Sequence, residues 1–188
     1  MKLFSSTRSR VFSALGCLLA GLPFLLLSSC SRPEQEPTID VSSIWETDWF
    51  GLPLNGRWDS QWENKSLSSG EMKLFASLDT AGLSGTTAPL RMEMTDRQAF
   101  PNPFLHYFEL PFGFNQEFSG KVVLKYVIVD HHLTPLQQGV VRLSAASGRA
   151  MVAIAPGVPA GDYRLYFSLS SQANPHFYKS WGNIRKTR

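Results

Sequence analysis

Long parts of this chain alternate apolar and polar side chains with a period of two residues. In residues 163–169, the side chains at odd positions are apolar or aromatic, and Arg164, Tyr166 and Ser168 separate them. Successive side chains of a strand point to opposite faces, so this pattern predicts a strand with one buried face. Residues 121–129 (KVVLKYVIV) are apolar on nearly both faces, which predicts a central strand. Further strands are predicted at residues 72–78, 90–94 and 149–155, with weaker signals at 140–144 and 176–184.

Turn-forming residues separate these segments. Examples are residues 68–70 (SSG), 119–120 (SG) and 159–162 (PAGD). Roughly eight short strands without a convincing helix predict an all-β fold, a single antiparallel β-sandwich.

Residues 158–165 (VPAGDYRL) carry a more specific signal. They resemble the turn that leads into the sixth strand of fibronectin type III and immunoglobulin-like sandwiches, where a tyrosine hydroxyl bonds back to upstream backbone. The resemblance implies that Tyr163 is this structural tyrosine. It also implies that residues 149–155 form the fifth strand and residues 176–184 the last one. We therefore expect an immunoglobulin- or fibronectin III-like sandwich.

The N-terminus has a different pattern, a basic start followed by an apolar run. Lys2, Arg8 and Arg10 precede the apolar residues 11–27, as in a secretory signal. The run ends in LSSC at residues 27–30. This ending resembles the lipobox of bacterial lipoprotein precursors.

The lipobox resemblance implies that Cys30 is acylated with diacylglycerol, that the signal peptide is cleaved just before it, and that the new amine is acylated too. Each buried methylene contributes about 0.8 kcal/mol, so such an anchor would be effectively permanent. By resemblance to the proteobacterial sorting pattern, Ser31 in place of Asp points to the outer membrane. The alternatives are an uncleaved transmembrane helix, cleavage by the ordinary signal peptidase, and lipidation at Cys17.

These patterns divide the chain into a signal peptide at residues 1–29, a polar lipidated tether at 30–43 and a β-sandwich domain at 44–188. The net charge of the whole chain is +3, but the signal peptide removes three basic and no acidic residues, so the mature chain is neutral. Charge therefore gives no case for nucleic-acid binding. Cys17 leaves with the signal peptide and Cys30 is consumed by lipid, so the folded part depends on its core without disulfides.

No motif identifies a catalytic or metal site. Asp130, His131 and His132 follow the predicted central strand, but adjacent strand side chains point to opposite faces, and no second cluster completes a metal shell. The sequence contains no G-x-S-x-G elbow, H-E-x-x-H motif or phosphate-binding glycine loop. We therefore expect a protein that is not an enzyme and that uses no cofactor or metal. A spatial triad of Ser, His and Asp is the alternative that the sequence leaves open.

Aromatic side chains give the better functional lead. Four tryptophans lie in one short stretch among Asp, Glu, Asn and Arg side chains: Trp45, Trp49, Trp58 and Trp62. Flat aromatic faces beside polar groups suit sugar rings, and amphipathic aromatics are favoured at protein interfaces. A small sandwich without disulfides also needs large core residues, so packing in the core is a third role.

A second aromatic segment covers residues 100–118. Its prolines, Pro111 among them, predict that it lacks long regular structure. Phe112 and Phe114 would then crowd a glycine-containing loop, which would mark a contact site if it is exposed.

Together these features predict a membrane-anchored lipoprotein that acts as a non-catalytic binding or assembly-accessory module in the cell envelope. The expected partners are the membrane, through the lipid anchor, and an envelope protein. The alternative is a glycan- or peptidoglycan-binding module that uses the tryptophans of residues 45–62.

Overall fold

The computed structural model describes residues 38–56, 60–79, 83, 92–94, 98–114, 121–144 and 147–188, and their regular structure is mostly β. The strands are β1 (Glu46–Thr47), β2 (Pro53–Asn55), β3 (Met92–Met94), β4 (Tyr107–Phe114), β5 (Val122–Val129), β6 (Pro135–Leu143), β7 (Arg149–Ala153), β8 (Gly161–Ser170) and β9 (Tyr178–Lys186). One short helix, α1, spans Ser69–Lys73. All pairings between these named strands are antiparallel. The prediction of an all-β fold with antiparallel sheets is confirmed.

The strands form three sheets. β5 lies inside a four-stranded sheet with the order β6-β5-β8-β9, a three-stranded sheet has the order β3-β4-β7, and β1 pairs with β2. Every residue of β5 is buried. The prediction that residues 121–129 form a central strand is therefore confirmed.

Side chains from the three-stranded and the four-stranded sheet form one hydrophobic core. On β4, Phe108, Leu110 and Phe112 point into this core at every second position. The facing sheet contributes Leu124 and Ile128 from β5, and Leu165 and Phe167 from β8. The two sheets are therefore two layers around a shared interior.

The outer face of the four-stranded sheet is also buried, by residues 60–79, which we call the covering segment. This segment first follows the edge of β9, and its apolar side chains from Leu67 to Leu78 then pack on the outer face. Phe75 is 2% exposed and packs with Val127, Val129 and Tyr166 in a second apolar cluster. β5 can therefore be apolar on both faces, since one face meets the core and the other meets the covering segment.

The alternation at residues 72–78 does not produce a strand, so that prediction was wrong. Ser68 accepts a hydrogen bond from the N–H of Glu71, and the Glu71 carboxylate accepts one from the N–H of Ser68. This capping box starts α1 instead. The helical spacing then places Met72 and Phe75, three residues apart, against the same sheet.

Two segments close the outer edge of β9. In the covering segment, the N–H of Trp62 donates to the carbonyl oxygen of Trp181 at 2.8 Å. Further along the edge, the N–H of Phe104 donates to the carbonyl oxygen of Arg185 at 2.9 Å. An open strand edge can pair with other chains, so these contacts protect the sheet.

Part of the predicted tether belongs to the folded region. The N–H of Ile39 donates to the carbonyl oxygen of His131 at 2.8 Å. The carbonyl oxygen of Asp40 accepts hydrogen bonds from Arg164 and Asn183. The folded part therefore begins before residue 44, where the sequence analysis placed the boundary.

Residues 107–114 form strand β4, so the prediction that prolines exclude long regular structure from this segment was wrong. Glu109 exchanges two backbone hydrogen bonds with Phe100, at 2.7 and 2.9 Å. β3 pairs with β4 from Phe112 onward. Pro111 lies between these two pairings, where its missing N–H breaks neither of them.

Candidate interaction surface

The aromatic residues predicted to bind a partner do not form one surface. Trp62 and Phe112 are each 2% exposed and lie in the core, so the binding role predicted for them is wrong. Phe114 belongs to β4 and is partly buried, with its ring centroid 5.4 Å from that of Phe112. Trp45 is half-buried, whereas Trp49 is 63% exposed. Two predicted residues, Cys30 and Trp58, lie outside the described residues.

Trp62 fixes the covering segment on the sheet. Its indole lies directly over Gly182, whose lack of a side chain leaves the space that the ring fills. Its carbonyl oxygen accepts a hydrogen bond from the hydroxyl of Tyr178 at 2.6 Å. Burial, with a smaller contribution from the charge of Glu63, raises the pKa of Tyr178. The hydroxyl therefore stays protonated and continues to donate this bond.

The β1–β2 hairpin presents apolar side chains to water on a rigid turn. The carboxylate of Asp48 accepts hydrogen bonds from the N–H groups of Phe50 and Leu52, both at 2.8 Å. The N–H of Asp48 donates to the carbonyl oxygen of Leu52 at 3.0 Å, and Gly51 supplies the positive φ of 77° that closes the turn. We call Phe50, Leu52 and Leu54 the hairpin tip; they are 73%, 56% and 66% exposed.

The base of the hairpin is tied to the body through Asn102, which is fully buried. Its amide nitrogen donates to the carbonyl oxygens of Trp45 at 2.9 Å and Asn183 at 3.1 Å. Its side-chain oxygen accepts from the N–H of Arg185 at 2.9 Å, and its backbone exchanges hydrogen bonds with Thr47. The exposed tip therefore projects from a firmly held base.

An ion-pair network lies beside this base. The guanidinium of Arg185 donates to both carboxylate oxygens of Asp162, at 2.6 and 2.9 Å, and lies 3.5 Å from Glu46 of β1. The hydrogen bond to Asp162, together with the charges of both carboxylates, raises the pKa of Arg185 above its ordinary value. The pairing links the hairpin to β8 and β9.

The outer face of the three-stranded sheet carries a second exposed apolar group next to the hairpin. Tyr107 and Met151 lie on this face and are 38% and 59% exposed. The ring of Trp49 meets that of Tyr107 edge to face, with centroids 6.3 Å apart and planes at 62°. We call Trp49, Tyr107 and Met151 the sheet patch. The ion pair of Arg149 and Glu109, at 2.7 Å, lies on the same face.

Tyr163 is 7% exposed and lies at the start of β8. Its hydroxyl donates to the carbonyl oxygen of Pro159 at 2.8 Å, four residues upstream. Burial, followed by the charges of Asp130 and Asp162, raises the pKa of this hydroxyl. The bond fixes the turn before β8.

A Ser–His contact that the sequence pattern did not indicate lies on the covered side of the four-stranded sheet. The hydroxyl of Ser168 lies 2.7 Å from Nδ1 of His176. Ser168 is fully buried, which leaves its oxygen no exposed face toward a substrate. Burial and the charges of Lys125 and Lys179 lower the pKa of His176. The sequence carried no signal for this pair, because its members meet only when the β8–β9 turn folds back.

Asp130, His131 and His132 form a turn. The Asp130 carboxylate accepts hydrogen bonds from the N–H groups of His132 at 2.8 Å and Thr134 at 2.9 Å. Burial raises the pKa of Asp130. These two hydrogen bonds and the charges of the two histidines together lower it by more than burial raises it, so the pKa lies below its ordinary value. Within the described ranges, no group of three or more His, Cys, Asp or Glu side chains could hold a metal ion.

An open cleft of about 400 Å³ lies near the exposed side chain of Leu105. Ile154, Val158 and Lys186 contribute to its walls. The ammonium of Lys186 donates to the carbonyl oxygen of Val158 at 2.8 Å, so it stabilises the cleft wall.

Comparison with known proteins gave no match to a family model and no significant match to a curated protein. In the part of the chain that the structure describes, no helix is both long and apolar enough to cross a membrane.

Proposed function

We propose that this chain is a lipid-anchored, non-catalytic binding module of the bacterial cell envelope, which docks a protein partner through the sheet patch. The observation that carries this proposal is the difference in exposure between the two sheets. The outer face of the four-stranded sheet is covered, whereas that of the three-stranded sheet displays Tyr107 and Met151 beside Trp49. Aromatic residues and Met are enriched at protein interfaces.

The lipid anchor rests on the LSSC sequence at residues 27–30 and on the basic and apolar segments before it. If Cys30 is acylated, mass spectrometry of the mature N-terminus gives a peptide that starts at residue 30 and carries diacylglycerol. An unmodified Cys30, or a retained signal peptide, would contradict this part of the proposal.

We also propose that the domain is an immunoglobulin- or fibronectin III-like sandwich. Two observations support this assignment. Counted from β3, strands β7, β8 and β9 are the fifth, sixth and seventh, and the strands divide into sheets of three and four. Tyr163 at the start of the sixth strand donates its hydroxyl to upstream backbone, as in a tyrosine corner. This architecture is common among cell-surface binding modules.

The geometry favours a protein partner over a glycan. A sugar ring stacks on a flat aromatic face, but the rings of Trp49 and Tyr107 meet at 62° and offer no common plane. Trp62, which the glycan alternative also needs, is buried. Two rings set at this angle, on the same exposed face as Met151, suit an irregular protein surface better.

The test compares two charge substitutions in the full lipidated protein. Met151→Lys places a cation inside the sheet patch, and Ala173→Lys places the same cation in the exposed β8–β9 turn. We expect only Met151→Lys to abolish co-purification of a defined partner from native membranes. With the purified partner, Tyr107→Ala should raise the Kd by about tenfold to a hundredfold.

Unchanged affinity in both patch variants, with melting temperatures like that of the wild type, would refute the docking proposal. Sedimentation with purified peptidoglycan that is lost on Trp49→Ala would favour the glycan alternative instead.

A further inference from the structure

The docking role proposed for the sheet patch does not account for the exposed apolar side chains of the hairpin tip. Phe50, Leu52 and Leu54 each expose more than half of their surface, and each is fully apolar. Residues 48–56 (DWFGLPLNG) contain a single charged side chain, Asp48. Its carboxylate is occupied by the N–H groups of Phe50 and Leu52. The tip therefore offers a partner hydrophobic surface and almost nothing else.

The backbone of the turn is suited to an environment without water. The N–H groups of Phe50 and Leu52 bond to the Asp48 carboxylate, and the N–H of Gly51 donates to the Asp48 carbonyl oxygen at 3.1 Å. Backbone groups that enter a lipid phase must be satisfied internally. The N–H groups of Phe50, Gly51 and Leu52 at the tip already have such internal partners.

The incoming chain joins the domain at the end of the sheet that carries the hairpin. Ile39 bonds to His131, just beyond the last residue of β5, and Asp40 bonds to Arg164 and Asn183. β5 ends at Val129, which pairs with Arg164, and Arg164 pairs with Asn183.

The hairpin is fixed at this same end. Glu46 of β1 lies 3.5 Å from Arg185, and Arg185 pairs with Asp162 at the start of β8. Thr47 exchanges backbone hydrogen bonds with Asn102, which also bonds to Arg185. Residue 39, where the chain arrives, and the hairpin therefore occupy one pole of the domain.

The distance to the anchor is short. Cys30 precedes Ile39 by nine residues, and a fully extended chain of that length spans at most about 30 Å. A lipid anchor at Cys30 thus holds residue 39, and with it this pole of the domain, within about 30 Å of the membrane surface.

We propose that the hairpin tip inserts into the lipid surface on which the protein is anchored, with Trp49 at the boundary between lipid and water. This inference rests on the lipid anchor of the proposed function. Leu and Phe side chains enter the acyl boundary, and an amphipathic indole is favoured at the interface. Because the tip has no basic side chain, insertion does not require anionic lipid. The tip and the anchor together orient the sheet patch relative to the membrane.

The experiment places a fluorescent probe at the tip of the full lipidated protein. Leu52→Cys is labelled with an environment-sensitive fluorophore, and the protein is reconstituted into phosphatidylcholine vesicles and into vesicles of phosphatidylethanolamine and phosphatidylglycerol. The matched control is Ala173→Cys, in the exposed turn at the opposite end of β8. We expect a blue-shifted probe and several-fold slower quenching by aqueous iodide at position 52 in both vesicle types, and neither effect at position 173.

A second comparison keeps the test independent of the label. Brominated lipids should quench the tryptophan fluorescence of the wild type more strongly than that of Trp49→Phe. In the labelled protein, Phe50→Ser combined with Leu54→Ser should make the probe at position 52 accessible to iodide, while circular dichroism confirms that the fold is retained.

The possible failures are distinguishable. A wild-type chain that does not float with vesicles, and whose Cys30 accepts the thiol label, lacks the lipid anchor of the proposed function. A chain that floats, but whose probe at position 52 is quenched as fast as that at position 173, refutes insertion of the tip while the anchor stands. A probe protected in native membranes but accessible in pure lipid vesicles assigns the tip to a protein partner and overturns the proposal.

Discussion

The two large sheets of this protein differ in how far their outer faces are buried. In the four-stranded sheet, Val127 and Tyr166 are fully buried on the outer face, beneath Phe75. In the three-stranded sheet, Tyr107 and Met151 occupy the corresponding outward positions and remain open to water. One sheet is therefore sealed on both sides, and the other keeps a free apolar surface.

Polar contacts hold the cover in place. The Glu71 carboxylate accepts a hydrogen bond from the hydroxyl of Tyr166 at 2.8 Å. The ammonium of Lys125 donates to the carbonyl oxygen of Leu78 at 2.7 Å. The chain therefore covers the outer face of one sheet with its own residues and leaves Tyr107 and Met151 on the other sheet open to water, which is consistent with the docking role proposed for the sheet patch.

The largest loss of stability should come from removing the ring of Phe75, the buried aromatic contact between the covering segment and the four-stranded sheet. Phe75→Ala should lower the free energy of unfolding by about 3–5 kcal/mol, because a buried ring is lost and a cavity remains. Phe50→Ala removes the same ring from a position that is 73% exposed, and it should change stability by less than about 0.5 kcal/mol. Urea denaturation of both variants measures the contrast. Equal effects would mean that the cover does not seal the sheet.

A smaller loss of stability should follow from adding a side chain at Gly182 of β9, where the covering segment closes the edge of the sheet. A methyl group at Gly182 would overlap the indole of Trp62, so Gly182→Ala should destabilise the fold by about 1–3 kcal/mol. Gly157→Ala is the control, since a methyl group there meets nothing within 4 Å. Combining Gly182→Ala with Trp62→Leu should cost less than the sum of the single substitutions. Additive costs would argue against this contact.

The third prediction concerns a hydrogen bond of the shared core. Tyr163→Phe leaves the Pro159 carbonyl oxygen without its partner and should cost about 1–3 kcal/mol. Tyr107→Phe removes a hydroxyl from a side chain of the sheet patch that is 38% exposed, and it should leave the melting temperature nearly unchanged. Thermal unfolding of both variants separates the two cases. An unchanged melting temperature in Tyr163→Phe would remove the tyrosine corner from the proposed fold.

The smallest effect should be a pH dependence of the stability that Glu71 of the covering segment contributes to the fold. Burial raises the pKa of Glu71, but hydrogen bonds from Ser68 and Tyr166 and the charge of Arg164 outweigh it, so the pKa falls below its ordinary value of 4.5. A carboxyl group with a lowered pKa in the folded state contributes stability above its unfolded pKa, and this contribution is lost as the pH falls through the folded value.

Glu71→Gln should therefore be less stable than the wild type at neutral pH, and the difference should shrink as the pH falls below about 4.5. Chemical denaturation at a series of pH values measures this difference. The exposed Glu63→Gln, in the same covering segment, is the control. A difference that stays constant with pH would show that the charge of Glu71 does not hold α1 to the sheet.

Much of the strand framework follows from local pattern. The apolar residues 121–129 predicted β5 and its central place, and the alternation at residues 163–169 predicted β8. The failures are equally local in origin. The alternation at residues 72–78 competes with a capping box at Ser68 and Glu71, and the capping box prevails because no strand partner is present for this segment among the described residues.

The candidate surface could be predicted only in part. Trp49 was among the expected binding residues and is exposed, but Trp62 from the same cluster is buried. Nothing in the composition around these two residues separates them. A run of apolar side chains broken by Gly51 and Pro53 was the available signal for the hairpin tip, since such a run fits neither a buried strand nor a helix.

Local sequence was enough to locate most strands, because side-chain alternation and turn residues act over a few positions. Which aromatic side chains meet water became visible only in the folded chain, because their exposure depends on partners from distant parts of the sequence. Trp62 is buried because Gly182 leaves room for its ring. Phe50 is exposed because Asp48 and Asn102 hold the hairpin away from the core, whose space is already filled by the two sheets.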